Sequence, residues 1–243
     1  VSASGSDLNA GTRFSPVKSI QIALDLAFLS NVTKIYIASG IYSPFNGLLG
    51  SEFESGIFVR INNLILKGGW DTGFSNQTGV SELDSKKQHK ETVTISDVTN
   101  LIMDGFVLRF GKSGIQASSC NNCIFSNITV SNTFNGYGLN LSGDGNYIYA
   151  NIINNYSLNS GTGLLTVRGS SNYVIAQIIS NSQNNLNGGG GGLSLLGNYN
   201  ICDIVALSNF CGASGGGVYV SGSFNIIRGT INNNSAGFNG GGI

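Results

Sequence analysis

The residues in this chain whose side chains could do chemistry are few, and the densest group is Asp97, Asp104 and Arg109. Two carboxylates beside a guanidinium are the parts of a glycosidase, in which one carboxyl protonates a leaving oxygen and the other activates water. They are equally the parts of a lyase, in which carboxylates hold calcium and a basic group takes a proton. Either chemistry requires the groups to converge in space. Beyond residue 110 the only charged residues are Lys112, Asp144, Arg168, Asp203 and Arg228, too sparse for a second constellation. His89, the single histidine, stands in Lys86-Lys87-Gln88-His89-Lys90, a solvated charge run rather than the setting of a general base, and without it no Ser-His-Asp arrangement can be drawn. Catalysis by Asp97, Asp104 and Arg109 therefore stands as the alternative reading, behind a non-catalytic one.

Cys120-Asn121-Asn122-Cys123 has ligand spacing, but no second pair and no nearby histidine completes a zinc site. With Cys202 and Cys211 these read as small buried or turn residues, and a Cys202–Cys211 bridge is left open. The glycine run at 188–192 is followed by no Lys-Ser or Lys-Thr, so it is no phosphate loop. No metal and no cofactor is expected.

Binding is a different matter. Asp203 and Arg228 occupy the same place in adjacent repeats, either as a carboxylate–guanidinium pair for a sugar acid or as an outward ion pair. Met103, Phe125, Tyr149 and Ile175 form a column expected to point outward, with Tyr147 and Tyr173 two residues earlier in their lines. Exposed aromatics on a flat face can stack on sugar rings or bury against a protein; they also stabilise a stacked fold on their own account. Phe125, Tyr147, Tyr149, Tyr173, Asp203 and Arg228 are thus the candidate binding residues for an extracellular glycan or a protein.

The elements that position these residues follow from composition and period. Only 10% of the 243 residues are charged while 41% are hydrophobic, and 36 are glycine. Such a chain has a core to bury and must cover it with Asn, Ser, Thr and Gly. Twelve basic and twelve acidic residues cancel, leaving no basic field for nucleic acid, which is not expected as a partner. No run of 18 apolar residues appears, and Val1 opens no signal pattern.

From residue 92 the chain divides into lines beginning at Gly114, Gly138, Gly163, Gly192, Gly217 and Gly242, spaced by 24, 25, 29, 25 and 25 residues. An aliphatic residue follows each anchor: Ile115, Leu139, Leu164, Leu193, Val218, Ile243. Asn100, Asn122, Asn146, Asn172, Asn200 and Asn225 form an asparagine ladder at the bends. Inward columns are expected at Ile102, Ile124, Ile148, Val174, Cys202 and Ile227, and again at Phe106, Ile128, Ile152, Ile178, Ala206 and Ile231. Alternation with period two, and no room for a crossover helix, predict an all-β fold: a right-handed parallel β-helix solenoid. Ser15 as N-cap and Pro16 as first helical residue predict a short capping α-helix over 15–28, with Val17, Ile20, Leu24 and Ala27 on its buried face.

The whole chain, 1–243, is expected to be a single domain. Residues 1–45 are the N-terminal cap and first strands, and 46–91 are irregular early coils with a long loop over 71–91. Residues 92–243 are regular coils of about 25 residues, stopping as another line begins. An open end of that kind is expected where a longer protein continues, or where copies associate through strand edges.

The opening, Ser4-Gly5-Ser6-Asp7 through Asn9-Ala10-Gly11-Thr12 to Pro16-Val17-Lys18-Ser19-Ile20-Gln21 and Ile35-Tyr36-Ile37-Ala38-Ser39-Gly40-Ile41-Tyr42, resembles the N-terminal cap of bacterial β-helix proteins of the pectin-lyase-like superfamily. Asn233-Asn234-Ser235-Ala236-Gly237-Phe238-Asn239-Gly240-Gly241-Gly242-Ile243 is similar to the Gly-Gly-Ala-Ile repeats of polymorphic outer-membrane and autotransporter passenger proteins, with Gly in place of Ala. The resemblance implies export and display outside the cell or on a bacterial surface, as a structural or adhesive module. It also keeps a polysaccharide lyase or hydrolase of that fold as the alternative.

Overall fold

Strands too short to hold themselves must pair with copies of themselves one repeat away, and that pairing organises the whole chain. The computed structural model describes residues 1–43, 56–86, 91–158, 164–186 and 189–243. It is an all-β parallel solenoid with one short helix, Ile20–Ser30, at its N-terminal end. Among the described residues, three parallel sheets run along the axis. The long sheet stacks Lys34–Ala38, Ile65–Trp70, Ile102–Arg109, Ile124–Ser131, Tyr147–Ile153, Tyr173–Ile179, Ile201–Leu207 and Ile226–Asn232. A second runs from Ile57–Val59 through Glu91–Ser96, Ser113–Ser118, Leu139–Ser142, Leu165–Arg168 and Leu193–Leu196 to Val218–Ser221. Two-residue strands at Tyr156–Ser157, Ser182–Gln183, Phe210–Cys211 and Ser235–Ala236 form the third. One continuous apolar core fills the interior, and no described helix is long and apolar enough to cross a membrane.

The bends carry the polar bonding. Asn172 shows the pattern: its Oδ1 accepts from the backbone N–H and Nδ2 of Asn146 at 2.9 and 3.0 Å. Its own Nδ2 donates to Gly143 O and to Asn200 Oδ1, each at 3.1 Å. All four hydrogen-bonding sites of that buried amide are used. The ladder runs Asn146, Asn172, Asn200, Asn225. A second ladder, not anticipated from sequence, runs Asn155, Asn181, Asn209, Asn234 at the other end of the long strands, with Thr133 beneath it. The left-handed conformation falls on the residue before each ladder amide: Gly145, Ser171, Tyr199 and Phe224 in the first, Asn154, Ser180, Ser208 and Asn233 in the second.

Asn122 and Asn100 are exposed and lie outside the ladder, at these left-handed positions. The cause is one extra residue, Ser119 (φ 51°) matching Asp97 (φ 54°), which carries Cys123 rather than Asn122 to the ladder, where its N–H donates to Asn146 Oδ1. A one-residue slip exchanges the faces of a strand. Met103 and Phe125 therefore point inward and are fully buried, while Ile124 is exposed and Ile102 half-buried. A bulge at Gly105 and Asn127 restores the alternation, so that Phe106 pairs with Ile128, Ile128 with Ala150, and Val130 with Ile152. Leu165, not Leu164, matches Leu139 and Leu193, and Gly163 lies outside the described residues.

The helix buries Ile20, Leu24 and Ala27 against the end of the core, beside Val17. It starts later than Ser15 and Pro16 suggest, with Ser19 as N-cap. Asp7 holds that start: its carboxylate accepts from the N–H groups of Lys18 and Ser19 and from the Ser19 hydroxyl at 2.6–2.9 Å. The 71–91 segment contains a strand, Ser81–Asp84, paired with Gly40–Tyr42 and with Phe106–Arg109, where a loop is expected from its charge.

Replacing Asn172 by Ala orphans donors and acceptors in two neighbouring coils and is expected to cost about 3 kcal/mol in urea unfolding. Asn122→Ala, at an exposed left-handed position, is expected to cost about 1 kcal/mol. Equal losses for the two would contradict the ladder assignment.

Candidate functional site

Asp97, Asp104 and Arg109 do not converge. Asp97 is exposed in the left-handed bend before its strand and accepts from the Ser96 hydroxyl at 2.8 Å. Asp104 and Arg109 stand five residues apart on one strand, about 17 Å at the rise of an extended chain, and Arg109 turns to Glu82 at 3.6 Å. Asp104 is buried, with its carboxylate taken up by the bulge. Its Oδ1 accepts from Ser126 Oγ and Asn127 Nδ2, each at 2.8 Å, and its Oδ2 accepts from Gln77 Nε2 at 2.7 Å. Burial pushes this carboxyl up, but the three hydrogen bonds and the charge of Lys67 outweigh burial and hold it below the ordinary Asp value. A carboxylate so engaged is built to stay ionised and still, which suits a structural acceptor better than a proton carrier. Among the described residues no group of three His, Cys, Asp or Glu side chains is placed to hold a metal. His89 lies outside those residues.

Among the described residues, recognition groups gather on the long sheet's outer face. One outward row reads Ile102, Ile124, Tyr147, Tyr173, Ile201, Ile226 in direct register. Beside it Tyr149, Ile175, Asp203 and Arg228 form a second row, and Thr129, Asn151, Gln177, Val205 and Thr230 a third. Tyr147 and Tyr173 stack at 5.4 Å and 18°. The Tyr173 hydroxyl donates to Asp203 Oδ2 at 2.7 Å, and Arg228 Nε donates to Asp203 Oδ1 at 2.8 Å. The tyrosine hydrogen bond, with the guanidinium, holds the Asp203 carboxyl below its usual range, and the same bond pushes the Tyr173 phenol up. The face thus neutralises its own charges. Of the candidate binding residues, Phe125 alone is absent from it, for the register reason given above.

Sequence reading passed over two further exposed aromatics. Tyr199 and Phe224 are 60% and 73% exposed and stack at 5.1 Å and 6°. Both hold left-handed backbone (φ 57° and 58°), which bulky residues adopt at a cost of about 1 kcal/mol. Each immediately precedes a ladder asparagine, and that placement is the signal that would have found them. In the chain they stand two residues before Ile201 and Ile226, the last two members of the first outward row.

Compared with known proteins, the chain matches no family model, no curated protein and no solved structure.

Replacing Asp104 by Asn sets an amide NH2 among three donors, and a loss of about 2 kcal/mol is expected near pH 7. Because the folded carboxyl titrates below its unfolded value, its contribution is complete above that value and disappears as pH falls through the folded one. The stability gap between native chain and variant should hold from about pH 7 to 5 and narrow progressively as pH falls below the ordinary Asp range. A gap that does not narrow at any acid pH, read by urea unfolding, would assign the loss to packing instead.

Proposed function

We propose that this chain is a non-catalytic β-helix module that works outside the cell and binds a neutral glycan along the outer face of its long sheet. The observation that carries this reading is the gathering of exposed aromatics, hydroxyls and amides on one flat face whose Asp203 and Arg228 already neutralise each other. Sugar rings present apolar C–H faces and a rim of hydroxyls, which suits an aromatic row bordered by Thr129, Asn151, Gln177 and Thr230. Within the stacked pairs the rings cover one another, so the free contact surfaces are Tyr149, the outer ring faces, the ring edges and the hydroxyls. Coils about 4.8 Å apart repeat on the scale of one sugar along an extended chain. Export and surface display, in the manner of pectin-lyase-like β-helix proteins and outer-membrane passenger repeats, rest on the resemblance of the opening segment and of the final repeat.

A polysaccharide lyase or hydrolase is the competing reading, and the separation of Asp97, Asp104 and Arg109 speaks against it. The test is a glycan-array assay on the purified chain, paired with assays for released reducing ends and unsaturated uronates. Binding without release is expected. Tyr149→Ala and the double change Tyr147→Ala with Tyr173→Ala should each weaken binding at least about tenfold, or ~1.4 kcal/mol, with circular dichroism unchanged. Leu158→Ala, at an exposed site off this face, should bind normally. Product release that is lost in Asp104→Ala would replace the proposal with the enzymatic one. Absence of glycan binding, with capture of a protein or of further copies of the chain, would overturn the choice of ligand.

A further inference from the structure

In four successive coils the bend entering the long sheet is written Gly-x-x-Asn: Gly143 to Asn146, Gly169 to Asn172, Gly197 to Asn200 and Gly222 to Asn225. The coil below these replaces both fixed residues, by Cys120 and Cys123. Their backbone is already held at this point, since Cys123 N–H donates to Asn146 Oδ1 at 2.9 Å and Cys120 O accepts from Asn146 Nδ2 at 2.8 Å. Both side chains are fully buried and their sulfurs stand 2.7 Å apart. Among the described residues no further ligand-type side chains join them to form a metal site. Cys202 is buried in the long sheet, and Cys211 donates to Gln183 Oε1 at 3.1 Å.

We propose that Cys120 and Cys123 close as a disulfide by exchange with an external disulfide, stapling the bend at which the first asparagine ladder begins, while Cys202 and Cys211 remain thiols. One cysteine thiolate attacks a sulfur of the external disulfide and expels its other half as a thiolate. The second cysteine then attacks the mixed disulfide and expels the remaining half. Two protein S–H bonds and one external S–S bond become one protein S–S bond and two external thiols, which receive both electrons and both protons. In the finished bend the hydrogen bond from Cys120 holds the Cys123 thiol below its ordinary value despite burial, and the same contact with burial pushes Cys120 up. Because neither sulfur is reachable in the finished solenoid, exchange belongs to folding, before the next coil stacks on this one. Disulfide-permissive surroundings are those of an exported protein.

The test is to denature and reduce the full chain, refold it in mixed oxidised and reduced glutathione, alkylate it in denaturant with N-ethylmaleimide, and map the peptides by mass spectrometry. The peptide holding Cys120 and Cys123 should be two hydrogens lighter and unalkylated, with Cys202 and Cys211 alkylated. The oxidised chain should unfold at higher urea than the same chain reduced. Cys123→Ser should leave Cys120 alkylated or carrying glutathione, without a new bridge; should that variant not fold, the native map decides alone. Alkylation of both Cys120 and Cys123 after oxidative refolding, or a bridge from either to Cys202 or Cys211, would overturn the assignment.

Discussion

A solenoid coil has no neighbours except the coils on either side, so every polar group left over at its bends must be matched one repeat away. Strand backbones meet that demand through the parallel ladders; the bends meet it in part, Gly143 N–H donating to Arg168 O and Gly145 N–H to Ser170 O, but leave over groups such as Asn146 N–H and Gly143 O. The two asparagine ladders supply the missing partners. Each amide fills a donor and acceptor gap in the coil beneath and offers itself to the coil above. The rest of the architecture depends on this matching: it fixes the register, and the register fixes which side chains face inward, from Ala150 and Val174 to Phe106 and Phe125.

The same dependence explains what could be read from the chain beforehand. The period, the alternation and the capping helix face were legible because they are averaged over many lines, so an error of one residue does not erase them. Individual columns were not. Ser119 and the bulge at Gly105 and Asn127 each add one residue, and a single added residue exchanges inside for outside, which moved Phe125 into the core and Ile124 out of it. The second ladder was written as Asn154-Asn155, Ser180-Asn181, Ser208-Asn209 and Asn233-Asn234, a left-handed residue followed by its amide. It was hidden in a sequence where asparagine is everywhere.

The site divides along the same line. Asp104 invites a catalytic interpretation by its type and by its nearness in sequence to Arg109, yet a bulge deprives side chains and backbone of regular partners and a buried carboxylate is an efficient collector of the stray donors. Tyr147, Tyr149 and Tyr173 were legible as outward residues because they fall where the register is regular. Tyr199 and Phe224 were not, since aromatic residues with left-handed backbone break a local rule that sequence reading relies on. Side chains kept at such positions, stacked on each other and largely exposed, do nothing that the core requires.

The ladders also have a direction. Every ladder amide oxygen accepts from the coil before it, and each amide nitrogen donates once to the coil after it, so the two ends of any stack of coils are unlike at these points, one carrying acceptors and the other donors. Two like ends brought together would oppose donor to donor or acceptor to acceptor. The molecule is therefore polar as an object, and any coil added to a stack, from the same chain or another, is matched in one orientation only.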